Sequence, residues 1–272
     1  MTSVARNGFL GVGMIILMLL PVTAYGESPR EEKFQFLSEQ SGLSLHKEMF
    51  MLPYTYSKEY DGAQTEAVFQ ISAKHRVFGT PFYFGYTQIS FWQSYDHKNS
   101  APFRETDYNP EFFYRSNRFD FLSGRVGADI GFEHESNGQR VGLSRSWNLL
   151  YASPYWYRGD LFIHLKLRYR IPEEDKTDPM DPVGDDNPDI TDYLGYSDLN
   201  LYYRFPWNHT VHLMVRGNLS TGRGGMVVNY SWPLPKARYS YFCLRFSHGY
   251  GESLVDYNRK LTRIGFGIMF GR

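Results

Sequence analysis

In residues 161–170, LFIHLKLRYR, apolar and charged side chains alternate: Leu161, Ile163, Leu165, Leu167 and Tyr169 on one side, His164, Lys166, Arg168 and Arg170 on the other. Successive side chains of an extended strand point to opposite faces, so this segment reads as a strand with one greasy and one charged face. DLNLYYRF repeats the pattern, with Leu199, Leu201, Tyr203 and Phe205 against Asp198, Asn200, Tyr202 and Arg204. So does IGFGIMF, with Ile264, Phe266, Ile268 and Phe270 against Gly265, Gly267 and Met269. Beyond Gly26 no apolar stretch approaches the roughly 20 residues of a membrane-spanning helix.

A soluble sandwich also alternates, and the connections separate the two cases. Strands are predicted at 47–56, 65–75, 82–95, 110–117, 124–135, 146–157, 161–171, 196–206, 211–219, 225–232, 239–247 and 261–270. The connections after odd-numbered strands run long, and those after even-numbered strands are mostly shorter. An even strand number with one long and one short rim is the pattern of an outer-membrane barrel, so the predicted fold is all-β, a 12-stranded antiparallel transmembrane β-barrel spanning 47–272. Its greasy face meets lipid and its charged face fills the interior, because closure leaves no unpaired edge in the bilayer. Aromatic residues make up 18% of the chain, which suits a boundary dry on one side and wet on the other.

Arg6, the apolar run from Gly8 to Leu20 and the small residues Ala24 and Gly26 read as an export signal over 1–26. Residues 27–46 read as a polar periplasmic lead-in. Basic and acidic side chains balance at 29 each, which argues against a nucleic-acid partner. Cys243 is the single cysteine, so a scaffold stapled by internal disulfides is excluded. No Cys/His spacing for zinc is present, and the GRGG at 222–225 lacks the strand and helix context of a phosphate loop.

One segment puts chemistry on the greasy side. Counting back from His134 in twos gives Phe132, Ile130, Ala128 and Val126, whereas Glu133, Asp129 and Arg125 fall on the other face. His134 and Ser136 therefore share the apolar face, close to the external loop 136–145. A neutral imidazole about 7 Å along the strand from a serine can take its proton and make it a nucleophile.

EHESNG with SRSWN, GDDNPDITDYLGY, HGYGESLVDYN and the earlier APFRET, in this order from about Phe84 to the C-terminus, resemble the outer-membrane phospholipase A family. The resemblance implies a calcium-dependent esterase on a twelve-stranded barrel, acting on sn-1 and sn-2 acyl esters of membrane phospholipids and lysophospholipids, as a homodimer facing the outer leaflet. It carries the family triad onto His134, Ser136 and Asn148, the asparagine accepting the Nδ1 proton of the histidine. The backbone N–H groups of Ser136 and Gly138 are the expected oxyanion donors. The catalytic calcium falls on the Ser144 hydroxyl, the Gln139 carbonyl and, across the dimer, the Ser100 carbonyl, a neutral oxygen set that suits a hard cation. Asp186 matches a carboxylate that holds calcium in the monomer, and Gln88 a glutamine at the dimer interface. Two departures stand out: Gln139 replaces the usual arginine, which a main-chain ligand tolerates, and Glu135 replaces an aspartate. The same strands leave open a non-catalytic channel or structural barrel, and a soluble lipid-binding barrel.

Overall fold

The computed structural model describes residues 34–178 and 180–272, so the export signal expected at 1–26 lies outside the described residues. Twelve antiparallel strands form the wall: β1 (Phe50–Ser57), β2 (Glu66–Arg76), β3 (Phe82–Trp92), β4 (Phe103–Arg115), β5 (Gly124–Ser136), β6 (Ser146–Arg158), β7 (Leu161–Ile171), β8 (Ser197–Phe205), β9 (His209–Asn218), β10 (Arg223–Pro233), β11 (Tyr241–Gly249) and β12 (Leu261–Met269). Each pairs with its sequence neighbours, and β12 pairs with β1 from Arg263↔Ser57 to Met269↔Phe50, which closes the barrel. Two three-residue strands, Leu43–Leu45 and Phe119–Phe121, pair with β2 and β5.

The alternation read from the sequence becomes outside and inside. On β7, Leu167 and Tyr169 are 46% and 61% exposed on the exterior, while Lys166 and Arg168 turn inward to Glu133 at 2.5 Å and to Asp198. The third cation of that strand, Arg170, makes paired hydrogen bonds of 2.6 and 2.7 Å to Asp185 in the following loop. Arg115 pairs with Asp129 at 2.7 Å and Arg263 with Glu66 at 2.8 Å. The interior is thus cross-linked by ion pairs between strands.

One strand begins earlier than predicted. β4 starts at Phe103 and not at 110, because Glu105 and Asp107 of the segment RETD, which reads as a polar loop, are buried in the interior. A register shift opposite Phe91 and Trp92 marks a bulge at Arg104. Its guanidinium stacks 4.7 Å from the Phe91 ring and binds Glu66 at 2.5 Å and Asp256 at 2.7 Å.

Both ends are covered. At the short-turn end, Phe34, Phe36 and Leu37 pack against Tyr155, Phe162 and Tyr202. Backbone carbonyls of this segment accept from Lys74 at 2.5 Å and from Arg118 at 2.7 Å. Residues 34–37, within the stretch 27–46 read as a polar lead-in, therefore sit inside the barrel mouth, because three apolar side chains gain more from the lumen's aromatic floor than from water. At the long-loop end, helix α1 (Ile190–Leu194) and Leu254 and Tyr257 pack on Trp147 and Leu149.

Candidate active site

The direction of His134 is fixed by its neighbours. Glu133 is drawn inward by Lys166 at 2.5 Å, and Glu135 by the indole N–H of Trp147 at 2.8 Å. The residue between them must point outward. Ile130 and Phe132, on the same face, are 53% and 41% exposed on the exterior. On β6, Trp147 and Leu149 are buried in the interior, which turns Asn148 out as well.

Register then brings the parts together. His134 lies directly opposite Asn148, and Ser136 opposite Ser146. Asn148 Oδ1 is 2.9 Å from His134 Nδ1, the geometry of an amide oxygen accepting the Nδ1 proton. Asn148 Nδ2 in turn donates to Glu173 Oε1 at 3.0 Å, a partner that sequence spacing did not reveal. Ser136 is two residues beyond His134 on the same outer face. Its hydroxyl makes no hydrogen bond to another described residue, so it is free to turn toward Nε2.

The loop after Ser136 is organised by Asn137, another residue that the sequence reading missed. Its side-chain oxygen accepts from Arg145 N at 2.9 Å and Gln139 N at 3.3 Å; its amide donates to Leu143 O at 2.8 Å and Glu105 Oε1 at 3.3 Å. Asn137 is buried, so these bonds clamp the loop to the barrel interior. Gly138 follows with φ of 61°, a left-handed turn open to glycine at little cost. The N–H of Gly138, two residues after the serine, has no acceptor among the described residues.

Gln139 and Ser144 lie in this same loop, and neither the Gln139 carbonyl nor the Ser144 hydroxyl accepts a hydrogen bond from another described residue. Ser100 is exposed in the loop between β3 and β4, in a left-handed conformation with φ of 63°. Asp186 has a different partner: Lys176 Nζ lies 2.5 Å from its carboxylate. Gln88 is on the outer face in line with Phe82 and Phe84, and its amide bonds Tyr86 Oη at 2.9 Å and Ser90 Oγ at 3.2 Å. Among the described residues no three His, Cys, Asp or Glu side chains converge as a metal site. Burial, and then the hydrogen bond that the Tyr257 hydroxyl donates to Asp189, push that phenol up, which keeps it a donor beneath the external loops.

A family model described as phospholipase A1 matches residues 30–270. The chain belongs to the phospholipase A1 family. It is 39% identical over 188 residues to phospholipase A1 of Klebsiella pneumoniae, an alignment covering 68% of this chain and 60% of that relative. With phospholipase A1 of Salmonella typhimurium it shares 36% identity over 225 residues, 79% of this chain and 73% of the relative. It therefore spans less than two thirds of the Klebsiella protein. Among solved structures, the calcium-bound dimer of Salmonella typhi outer membrane phospholipase matches with a TM-score of 0.74 and 30% identity, over 84% of this chain and 92% of that one.

Proposed function

We propose that this chain is a calcium-dependent phospholipase of the outer membrane, hydrolysing sn-1 and sn-2 acyl esters of glycerophospholipids and lysophospholipids at the barrel surface. The observation that carries the reading is the 2.9 Å contact between His134 Nδ1 and Asn148 Oδ1 on the lipid-facing side, with Ser136 two residues along. A nucleophile on that face meets an acyl chain without extracting it through water.

The steps follow from the tautomer. With Nδ1–H held by Asn148, Nε2 is the free lone pair. As Ser136 Oγ attacks the ester carbonyl, Nε2 takes its proton, and the N–H groups of Ser136 and Gly138 receive the developing oxyanion. The imidazolium returns the proton to the departing glycerol oxygen, leaving an acyl-serine. Water then attacks that ester with His134 again as base, and the fatty acid leaves as Ser136 regains its proton.

The unpartnered oxygens of Gln139 and Ser144 fit a hard cation, with the carbonyl of Ser100 of the partner subunit completing the set in a homodimer. Bound calcium supplies a positive charge that polarises the ester or steadies the oxyanion. The homodimer is supported by the dimeric, calcium-bound state of the Salmonella typhi structure. Gln88, on the outer face, is the proposed dimer contact, and Asp186 a calcium ligand of the monomer. The active site is proposed to face the outer leaflet, since it adjoins the long loops.

Ser136→Ala is expected to release no fatty acid from phospholipid micelles in calcium. Release at the parent rate by a folded Ser136→Ala protein would refute the reading.

A further inference from the structure

We propose that Glu173 is a positioning residue: by accepting the Asn148 amide it dictates which way that amide faces, and so which nitrogen of His134 acts as the base. This rests on the triad reading given under Proposed function.

The contact arises from register. Asn148 on β6 is paired with Ile171 on β7. Glu173 lies two residues beyond Ile171, continuing the outward row of Leu167 and Tyr169 just past the strand end. A side chain at that diagonal position is within reach of the residue opposite. The half-buried Glu173 carboxylate meets Asn148 Nδ2 at 3.0 Å.

The surrounding loop holds it there. The carbonyl of the next residue, Glu174, accepts from Asp185 N at 2.8 Å, and Arg170 grips the Asp185 carboxylate. Asn187 Oδ1 accepts from Ser146 N at 3.0 Å, two residues before Asn148. The start and the end of the excursion are therefore tied to each other and to the catalytic end of β6.

The chemistry is a chain of forced choices. A primary amide can rotate end for end, presenting either oxygen or N–H to a neighbour. A carboxylate only accepts, so Asn148 must turn its N–H toward Glu173 and its oxygen toward His134. That oxygen only accepts, so His134 carries its proton on Nδ1. Nε2 is then left unprotonated on the side of Ser136. An asparagine without this anchor holds two orientations, one of which sets an N–H against Nδ1 and favours the wrong tautomer. The negative charge of Glu173 also polarises the amide toward its oxygen, and a field at a lipid boundary is less screened than in water. An uncharged asparagine thereby gains part of the imidazolium stabilisation of an aspartate.

The test uses the full-length protein in detergent with calcium and a phospholipid substrate, comparing the parent with Ser136→Ala, Glu173→Ala, Glu173→Gln, Asn148→Ala and the double variant Glu173→Ala/Asn148→Ala. Glu173→Ala is expected to lower kcat roughly ten- to a hundredfold, the worth of a charge-assisted hydrogen bond, with KM unchanged. Glu173→Gln keeps an acceptor without charge and is expected to recover part of the loss. In the Asn148→Ala background the Glu173 substitution is expected to cost nothing more, because its effect passes through that amide. The same fold-loss in both backgrounds, or a folded Glu173→Ala protein as fast as the parent while Ser136→Ala is inactive, overturns the role of Glu173 and leaves the triad standing. Full activity in Ser136→Ala removes the triad and this proposal with it. Should Glu173→Ala fail to fold, Glu173→Gln decides: no loss of kcat overturns the proposal.

Discussion

Asparagine opposite His134 suits the medium at this point of the wall. In the proposed site a carboxylate at this position would have to be desolvated beside the Glu173 carboxylate, and an amide costs less. Substituting Asn148→Asp is therefore expected to slow turnover by roughly tenfold, because two carboxylates then face each other across the Glu173 contact. Adding Glu173→Gln to Asn148→Asp is expected to restore much of the rate; steady-state kinetics on the two proteins check this, and no rescue would count against like-charge repulsion. Asp186 makes a second residue-scale prediction. Its carboxylate is matched by Lys176 at 2.5 Å. Lys176→Met leaves that charge free, so calcium binding to the monomeric protein in detergent is expected to tighten severalfold by titration calorimetry. An unchanged affinity would mean that Asp186 is only one half of an ion pair.

At the scale of elements, β5, β6 and β7 act as one unit. The inward Glu133 on β5 and Lys166 on β7 form the 2.5 Å pair across β6, and Lys166 Nζ also lies 4.4 Å from the Tyr151 ring centre on β6 itself. Removing one partner leaves a buried charge, so Lys166→Met is expected to lower the stability of the folded barrel by about 3–5 kcal/mol. Replacing both, as Lys166→Met with Glu133→Leu, is expected to cost markedly less. Urea unfolding of protein reconstituted in vesicles compares the two, and equal losses would show that Glu133 finds another counter-ion. The outward positions of these strands were readable from alternation alone. Their pairing was not: the register that sets Asn148 opposite His134 and Glu173 diagonal to Asn148 depends on how the three strands align, which no spacing in the chain specifies. The early start of β4 was hidden for a related reason, since Arg104, Glu105 and Asp107 look like loop residues until their counter-ions and backbone partners on other segments are in view.

For the whole molecule, both ends of the barrel are covered and its interior is cross-linked, which argues against a wide pore. A lumenal cavity of ≈ 200 Å³ remains, bounded by Asp107, Glu135, Arg216 and Arg245. Phe34 and Phe36 close the short-turn end, and replacing both with serine is expected to raise single-channel conductance in planar bilayers above a near-silent parent. A parent that conducts freely would revive the channel reading. The calcium site proposed to be shared between subunits predicts that activity per monomer rises with protein concentration in dilute detergent and disappears on chelation; strict proportionality would count against a dimer. Sequence by itself determined the strand architecture, the outward placement of His134 and Ser136 and the family, because period-two patterning and loop lengths are local properties written along the chain. Only the tertiary structure decided which strands' residues meet, how Asn137 and Glu173 support the site, and that residues 34–37 fill the barrel mouth. Those contacts join segments far apart in the chain, and closure of the cylinder, not any short stretch of residues, brings them within hydrogen-bonding distance.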